Sequence, residues 1–481
     1  MHPVNQPSLE TDSLSRRQIV LLVTALVFSV MSFSLNATMI SPAVRDINET
    51  LGPGAFVAMS APFYLAGALA NVVLIRWSDY IGRKRVLMGI LVICVLGTIL
   101  CLSSSLPIVV VGRFLQGASN ITYGLGFMIL RARVSGATFG VCCGLMASIN
   151  GGIAGGDAFL AGIMTDVWGY RSIFVFITVV GLIAVAFAWK WVPSDGLDEP
   201  GARSEGRMDW IGAVFIASSV GGLSMFMSEG GHGGWTSTPT LVWLAVTGAT
   251  FVALIISTNR IEHPIIGLKH MRSREAWPLI VVTILIVGSF MVIQAYVIPF
   301  MAEDPDSGFG LNATTTALLF LTPAAVVQVF ASPFVGRLAV RIGFVTVLRA
   351  GIVATIVVIA LMAVFADNKW AIVALMVVYG ITCGAVIHTP LMSLGVLQAS
   401  DEEPGTLPGL SNASYGVGFS LGFAWAGPIV GSGTDSTFQQ AFWTCATIGV
   451  IALVFSYVLR PKPLARERVS PGGSTAPQPT H

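Results

Sequence analysis

Charged side chains are scarce in this sequence. Asp, Glu, Lys and Arg together make up 10% of the 481 residues, whereas 54% are hydrophobic. A soluble globular domain normally has about a quarter of its residues charged. The composition therefore excludes an ordinary soluble protein. The formal net charge is only +2, so the sequence also gives no basis for nucleic-acid binding.

Cysteines and catalytic motifs are also few. The six cysteines lie within apolar segments and lack the spacing of metal ligands, so we predict no metal site. No Gly-Lys-Ser/Thr signature follows the glycine-rich stretches, which argues against an ATP-driven pump, and no Ser-His-Asp pattern is present. We therefore expect neither an enzyme nor a bound cofactor.

The sequence does contain a long series of apolar segments of about 20 residues, the length that spans a bilayer core. The fourteen segments are 19–41, 55–78, 86–105, 107–129, 138–164, 172–192, 209–229, 240–258, 277–301, 313–335, 346–366, 370–395, 408–432 and 439–459. The sequence thus predicts an all-α integral membrane protein with fourteen helices in a lipid bilayer.

Positive residues are distributed unevenly between the alternating loops. Most of the 26 Lys and Arg fall on one side, whereas the loops of the other side contain Arg45, Arg171 and Lys369. Lys and Arg are retained on the cytoplasmic side of a membrane. We therefore predict a multi-pass protein of the cell membrane with both termini in the cytoplasm.

A charged turn in the first half of the chain is echoed in the second. Residues 76–85 read Arg-Trp-Ser-Asp-Tyr-Ile-Gly-Arg-Lys-Arg, and the segment ending Ile342-Gly343 follows a later span with an offset of 261 residues. Duplicated six-helix halves that rock about a central site are one way to build alternating access. We assign to these gating turns the residues Asp79, Gly82, Arg83, Lys84 and Gly343.

The repeat predicts five regions along the chain. Two six-helix bundles are separated by a linker that contains two extra central helices, and a polar tail precedes and follows them. The regions are 1–18, a cytoplasmic tail; 19–192, the N-terminal bundle; 193–276, the linker with its inserted helices; 277–459, the C-terminal bundle; and 460–481, a disordered cytoplasmic tail.

These motifs resemble the major facilitator superfamily, and within it the fourteen-helix drug:proton antiporter branch. The family's loop motif, Gly-x-Leu-Ala-Asp-Arg-x-Gly-Arg-Lys, is matched at Asp79, Gly82, Arg83 and Lys84. Its Arg-x-x-Gln-Gly motif is matched from Arg113 to Gly117. The resemblance covers about residues 15 to 460 and implies a secondary transporter, with a small-molecule substrate, protons as the coupling ion and a monomeric state.

The sequence departs from the antiporter pattern at three points. Asn36 stands where the branch usually has an aspartate, and an amide does not titrate. The helix-five motif Gly-Pro-x-x-Gly-Gly is replaced by Gly155-Gly156-Asp157-Ala158, without a proline. The third departure is the aspartate itself, Asp157, inside a predicted span. The lost motif weakens the inference of export.

Asp157 and Arg113 are the two charges that the sequence places well inside apolar spans. At 1.5 Å rise per residue, both lie about 9 to 11 Å below the outer surface of adjacent helices. Charged groups at such depth are costly and mark pathways, proton relays or ion pairs. We predict that the two meet, either as a permanent ion pair or as a pair that breaks when Asp157 takes up a proton.

Other polar and aromatic residues within the spans are candidates for substrate contact. Amides, an imidazole and aromatic rings suit a polar or planar solute, although each also fits a role in helix packing. The candidates are Asn36, Tyr123 with Phe127, Asn150, Gln294, His388, Tyr415 and Trp425.

Three functions remain open at this stage. Resemblance over the whole chain favours proton-coupled efflux of drugs or amphipathic compounds. The lost proline motif and Asn36 favour uptake of a polar metabolite such as a nucleoside, sugar or organic acid. A non-transporting membrane sensor is a more remote alternative, since it has no need of a buried Asp157 and Arg113.

Overall fold

The structure is a computed structural model that describes residues 14–131, 133, 134, 138, 142, 146, 156–193, 209–260, 273, 275–398, 406–432 and 436–460. This part of the chain is helical and contains no strand, as the apolar segments predict. In order, the helices are α1 Arg16–Thr38, α2 Val44–Leu51, α3 Ala55–Ile81, α4 Arg83–Leu100, α5 Leu106–Gly117, α6 Thr122–Arg131, α7 156–168, α8 Arg171–Trp191, α9 Trp210–Gly233, α10 Thr238–Arg260, α11 Trp277–Ile286, α12 Ile298–Glu303, α13 Ala313–Thr316, α14 Thr322–Ile342, α15 Phe344–Val364, α16 Lys369–Tyr379, α17 His388–Leu397, α18 Thr406–Val430 and α19 Thr437–Val458.

Ten helical segments in the described part are long and apolar enough to cross a membrane. Several of them combine consecutive helices with the turn between them, such as Trp277–Glu303. The all-helical membrane architecture is therefore confirmed, while the count of fourteen spans stays a prediction. Part of the difference has local causes, and the predicted segment 138–164 lies largely outside the described residues. Three cations open α4, and a 3₁₀ turn at Ala118–Ile121 separates α5 from α6. Each of these interrupts the uniform apolar run by which a span is recognised.

Three segments of the second half wind as π-helix instead of α-helix. They are Val287–Met291 with Ile293–Val297, Ala317–Leu321, and Gly380–Ile387. A π-helical turn has one residue more between its hydrogen-bonded groups than an α-helical turn. The side chains that follow it therefore point in a different direction around the helix axis. Such turns are frequent at functional sites, and here they lie within membrane-spanning segments.

The repeated turn has the same backbone in both copies. Gly82 ends α3 with φ 103° and ψ 136°, and Gly343 ends α14 with φ 97° and ψ 134°. Their N–H groups donate to the carbonyls of Ser78 and Ala339, which are again 261 residues apart. Positive φ is strained for any residue with a Cβ, so glycine is required at both positions.

We call α1–α8 the N-half and α11–α19 the C-half, with α9 and α10 between them in sequence. Asp209 caps α9 by accepting the Gly212 N–H at 2.7 Å. The α9 helix packs against α10, and also against α18 and α3. It therefore lies between the halves, and Ser224 and Ser420 join it to α18 through a hydroxyl contact of 3.1 Å.

Each half also has a cation that binds the end of its last helix. Lys84 Nζ donates to the Trp189 carbonyl at 3.1 Å, near the end of α8. Arg349 donates to the carbonyls of Ser456 and Leu459 at the end of α19. Cations are favourable at helix C-termini because the unsatisfied carbonyls concentrate negative charge there.

The hydrogen bonds and ring contacts described between the halves lie at one end of the bundle or near its middle. We call the end opposite the described chain ends the distal end; it includes the connections after α1, α7 and α12. Tyr64 stacks on Phe419 with ring centroids 4.3 Å apart, and Phe56 stacks on Tyr296 at 5.5 Å. The largest hydrophobic core cluster joins both halves in this region. The bundle is thus closed distally, in what we call the distal-closed conformation.

Candidate functional site

Arg113 is buried on α5 and contacts the end of α1. Its Nη1 donates to the Asn36 carbonyl at 2.9 Å and to Gln116 Oε1 at 2.8 Å. The guanidinium carbon lies 4.1 Å from the centroid of the Phe63 ring, a cation–π contact. Nε and Nη2 have no hydrogen-bond partner in the described part of the chain.

Asp157 lies on α7 with 5% of its surface exposed. Its Oδ2 is hydrogen-bonded to the hydroxyl of Thr38, the last residue of α1. Its Oδ1 is buried without a partner among the described residues. On the other side, Ala158 packs against Ala317 and Leu321 of the C-half. The carboxyl group therefore lies where α1, α7 and the C-half meet.

The ion pair that the sequence suggested between Asp157 and Arg113 does not form in this conformation. Both residues are described, and the contacts of each lead to α1 instead: Arg113 to the Asn36 carbonyl and Asp157 to the Thr38 hydroxyl. Equal depth in the membrane does not fix the direction in which a side chain projects. The carboxyl group of Asp157 consequently has no cationic partner within the described residues.

Asn36 is fully buried between α1 and α4. Its Nδ2 donates to the Ser32 carbonyl at 2.7 Å and to Cys94 Sγ at 3.7 Å, while Oδ1 has no partner among the described residues. In this conformation the side chain faces a neighbouring helix. Substrate contact at this position requires the helices to separate, and it stays a prediction.

Two of the C-half candidates contact each other, and a third binds a π-helical turn. Trp425 Nε1 donates to the Gly288 carbonyl at 2.8 Å, in the π-helical turn that precedes the turn containing Gln294. Gln294 is half-buried and forms no hydrogen bond within the described residues. His388 meets Tyr415 edge to face at 5.9 Å, and the Tyr415 hydroxyl is buried without a partner in the same part of the chain. Within the described structure, Gln294 and the Tyr415 hydroxyl therefore have unused hydrogen-bonding capacity.

The candidates of the N-half are only partly visible. Tyr123 and Phe127 of α6 are in edge-to-face contact at 4.5 Å. Asn150 lies outside the described residues. At the gating turn, Arg83 donates to the Met128 carbonyl at 3.1 Å, so α4 is joined to α6 as well as to α8. The side chain of Asp79 lies outside the described part of the structure.

Two acidic residues that the sequence interpretation missed connect the halves at the distal end. Glu303, 2% exposed, accepts the Arg45 backbone N–H at 2.9 Å through Oε2. Asp166 accepts the N–H groups of Ala313 and Thr314, at 3.1 and 2.9 Å, at the start of α13. Each carboxylate belongs to one half and binds backbone of the other. We call these two contacts the distal latch.

Only a weak signal in the sequence marks the distal latch. Acids at the ends of spans normally face water, and nothing in the pattern distinguishes Asp166 or Glu303 from such residues. Gly162, one turn before Asp166, offers the better clue: a Cβ there would stand 2.8 Å from the Ala313 carbonyl. A glycine on a helix face permits this close approach of two backbones.

Comparison with known sequences identifies the fold. A family model of the Major Facilitator Superfamily matches residues 26–423 and 279–480. The chain belongs to this superfamily. Its members are multi-pass membrane transporters of small molecules and are not enzymes, so the broad prediction from the motifs is confirmed.

Individual relatives of this major facilitator protein differ in their substrates. The uridine/deoxyuridine transporter of Lactococcus lactis subsp. cremoris is 31% identical over 418 residues, covering 84% of this chain and 86% of the relative. The multidrug resistance protein Stp of Mycobacterium tuberculosis is 26% identical over 441 residues, covering 89% and 78%. The comparison therefore identifies the superfamily and leaves the fourteen-helix branch a prediction.

Solved structures agree on the architecture. The crystal structure of the nucleoside transporter NupG aligns with a TM-score of 0.60, covering 92% of this chain and all of that one at 15% identity. At this level of identity the likeness shows the fold alone.

Proposed function

We propose that the protein is a secondary active transporter that takes up a polar, ring-containing solute of the nucleoside class, with Asp157 as the proton-binding group. The observation that supports proton coupling is a carboxyl group buried at the junction of the two halves without a cationic partner in the described structure. The substrate class is suggested by the relative that transports uridine and deoxyuridine.

A buried carboxyl group without a counter-charge favours proton binding. Transfer of an ionised carboxylate into a low-dielectric interior is costly unless it is paired or neutralised. Asp157 has one hydroxyl donor and one unpartnered oxygen. Uptake of a proton removes the charge, so the protonation state of this residue is coupled to whether the surrounding helices close around it.

The C-half supplies groups suited to a nucleoside. Within the described structure, the Gln294 amide and the Tyr415 hydroxyl have no hydrogen-bond partner, and His388 and Trp425 of the same half present aromatic faces. Ligand sites of this kind combine apolar walls with a few directed polar groups. We assign to this set the recognition of a base and its sugar, and to Tyr123 and Asn150 a supporting role from the N-half.

The remaining features of the transporter follow the same proposal. The gating turns, with Asp79, Gly82, Arg83, Lys84 and Gly343, control movement at the end near the chain termini. We propose that this end faces the cytoplasm of the cell, because it is the side richer in Lys and Arg. We further propose that the protein acts as a monomer.

Efflux of amphipathic compounds is the second candidate. It is favoured by similarity to a multidrug resistance protein over 89% of this chain. A nucleoside presents hydrogen-bond donors and acceptors, whereas an amphipathic drug presents apolar surface. The two compounds therefore demand different binding sites. The polar groups of the C-half therefore favour uptake, whereas the extensive aromatic contacts between the halves also suit a planar apolar compound.

Transport by the purified full chain in proteoliposomes tests the proposal. We expect labelled uridine to accumulate when a pH gradient of about one unit is imposed, by up to about tenfold for one proton, because such a gradient stores about 1.4 kcal/mol per proton. Ethidium serves as the amphipathic comparison. Movement of ethidium against protons, with no uridine accumulation, would establish efflux, and absence of both would refute the proposed function.

A further inference from the structure

The Thr38 hydroxyl lies within hydrogen-bond reach of two oxygens at once. One is the carbonyl of Ser34, one turn earlier in α1, at 2.8 Å. The other is Oδ2 of Asp157 on α7. Thr38 is thus the side chain through which the buried carboxyl group contacts α1.

The hydrogens at this junction can be counted. A threonine hydroxyl has a single hydrogen to donate and can accept through its lone pairs. The Ser34 carbonyl can only accept. Both contacts are therefore satisfied together only when the second hydrogen comes from Asp157. The carboxylic acid then donates from Oδ2 to Thr38 Oγ1, and Thr38 donates to the Ser34 carbonyl.

The second oxygen of Asp157 supports the same protonation state independently. Oδ1 is buried and has no partner among the described residues. An unpartnered oxygen of an ionised carboxylate incurs a larger desolvation penalty than the carbonyl oxygen of a neutral acid. Burial of Oδ1 without a donor is compatible with the acid and unfavourable for the anion.

We propose that the distal-closed conformation holds Asp157 protonated, and that Thr38 is the positioning residue that transmits this state to α1. The inference rests on the proposed function in taking Asp157 as the proton-binding group. When the proton leaves Oδ2, the Thr38 hydroxyl rotates toward the carboxylate, because a hydrogen bond to an ionised acceptor is the stronger one. The Ser34 carbonyl then loses its side-chain donor.

The charged groups near Asp157 are hydrogen-bonded to other partners. Arg113 on α5 donates to Asn36 and Gln116. Asp166, further along α7, accepts from the start of α13, and Glu303 of α12 accepts from Arg45. The C-half faces the neighbourhood of Asp157 with the apolar side chains of Ala317 and Leu321. Among the described side chains, only that of Thr38 is hydrogen-bonded to the Asp157 carboxyl group.

The position of Thr38 explains how one hydroxyl can influence closure. It ends α1, and the 3₁₀ turn Ser41–Ala43 that follows contacts α12 and α13 of the C-half. A change in the hydrogen bonding of the last turn of α1 therefore acts on the segment that joins the halves distally. Proton binding at Asp157 and distal closure become linked equilibria, each favouring the other.

Accessibility of the distal interface provides the test. Ala43 is fully buried in this interface, and a cysteine there, in the full chain with the native cysteines replaced by alanine, reports opening through its reaction with a membrane-impermeant maleimide. Because maleimide reacts with the thiolate, whose fraction itself rises with pH, each rate is divided by that of a cysteine at Thr50, an exposed position on α2, at the same pH. We expect this normalised rate to rise at least about fivefold from about pH 5.5 to about pH 8, the lower end of usual coupling between sites.

Three variants of the protein with a cysteine at position 43 test whether Asp157 and Thr38 cause the pH response. Asp157→Asn, whose amide donates to Thr38 as the acid does, is expected to react slowly at every pH. Thr38→Val, which keeps the shape without the hydroxyl, is expected to reduce the pH response to about twofold or less, and Thr38→Ser to restore it. Size-exclusion elution and thermal melting of each variant establish that the fold is retained.

Specific results would overturn the inference. A pH response in Thr38→Val equal to that of the parent excludes a role for Thr38. Fast reaction of Asp157→Asn at every pH, or no pH response in the parent, excludes a protonated closed form. The labelling needs no substrate, so failure of uridine transport with the pH response intact refutes the proposed substrate alone. Uridine transport with an unchanged Thr38→Val response refutes this inference alone.

Discussion

Arg113 keeps a full positive charge in the interior of the N-half. A guanidinium does not lose its proton in proteins, so its burial must be offset locally. Three electron-rich groups stabilise the charge: the Asn36 carbonyl, the Gln116 side-chain oxygen and the Phe63 ring. Because these partners lie on α1, α3 and α5, Arg113 holds three helices of one half together, whatever the state of Asp157.

Replacement of Asp157 by asparagine separates proton coupling from substrate binding. Asp157→Asn retains the size of the side chain and removes the acid. We expect uridine accumulation driven by about one pH unit to lose up to about tenfold, the contribution of one proton. Exchange of labelled for unlabelled uridine at equal pH should persist at a reduced rate, because it needs no net proton movement but still requires the distal end to open.

An exposed acid supplies the control for this measurement. Asp367 lies exposed in the connection after α15, and Asp367→Asn makes the same chemical change at the surface. It is expected to accumulate uridine as the unmodified protein does. Wild-type accumulation in Asp157→Asn as well would exclude Asp157 as the coupling group.

The sequence predicts which residues are costly to bury but not how they pair. Asp157 and Arg113 stand out because charges are rare in apolar segments, and both are indeed buried. Their partners depend on the rotation of each helix about its axis, which the depth of a residue along the helix does not specify. Thr38 escaped notice for the opposite reason, since a hydroxyl in a span is common and normally bonds to its own helix.

At the scale of the element, the sequence prediction and the structure agree most clearly at the two glycine turns. Gly82 and Gly343 were predicted from a repeated motif, and both have positive φ and the same carbonyl acceptor position. The segment predicted to begin at residue 209 likewise agrees with the start of α9, which Asp209 caps. The π-helical turns were not predicted, because a one-residue insertion into a helix leaves the apolar composition of the segment unchanged.

Alanine at either turn should destabilise the protein. Gly82→Ala and Gly343→Ala place a Cβ at φ near 100°, and we expect each to lower the free energy of unfolding by roughly 1 to 3 kcal/mol. Gly89→Ala is the matched control, because a Cβ at this position in α4 meets no atom within 4 Å. Thermal melting of the full chain in detergent measures the effect. Equal melting temperatures for all three variants would contradict the strain argument.

At the scale of the whole molecule, closure of the distal end depends on few polar contacts. Asp166 and Glu303 form the distal latch, each binding backbone N–H groups of the opposite half. Around them the interface is apolar and includes the stacked rings of Tyr64 and Phe419. Apolar surfaces can part and close again without leaving a buried polar group unsatisfied, whereas the carboxylate contacts are directional.

Loss of one latch residue should open the distal end. Asp166→Ala removes the acceptor of two N–H groups across the interface, and hydrogen bonds to charged groups contribute about 1.5 to 3 kcal/mol. We expect the maleimide reaction of a cysteine at position Ala43 to become roughly tenfold faster. Asp46→Ala is the control, since Asp46 accepts the Tyr170 N–H within the N-half. Equal acceleration in both variants would show that the effect is not specific to the interface.

The cations that bind the last helix of each half have a mechanical consequence. Lys84 at α8 and Arg349 at α19 join the last helix of each half to an earlier one, which opposes sliding of these helices within the half, so each half can be treated as a rigid body. For a body whose helices are about 30 Å long, a tilt of roughly ten degrees about one end displaces the other by about 5 Å. Tyr64 and Phe419 lie near the middle of their helices, where the same tilt moves the rings roughly half as far. Their centroid separation would then grow from 4.3 Å to roughly 7 Å, about the distance at which a planar ring stacks between two others.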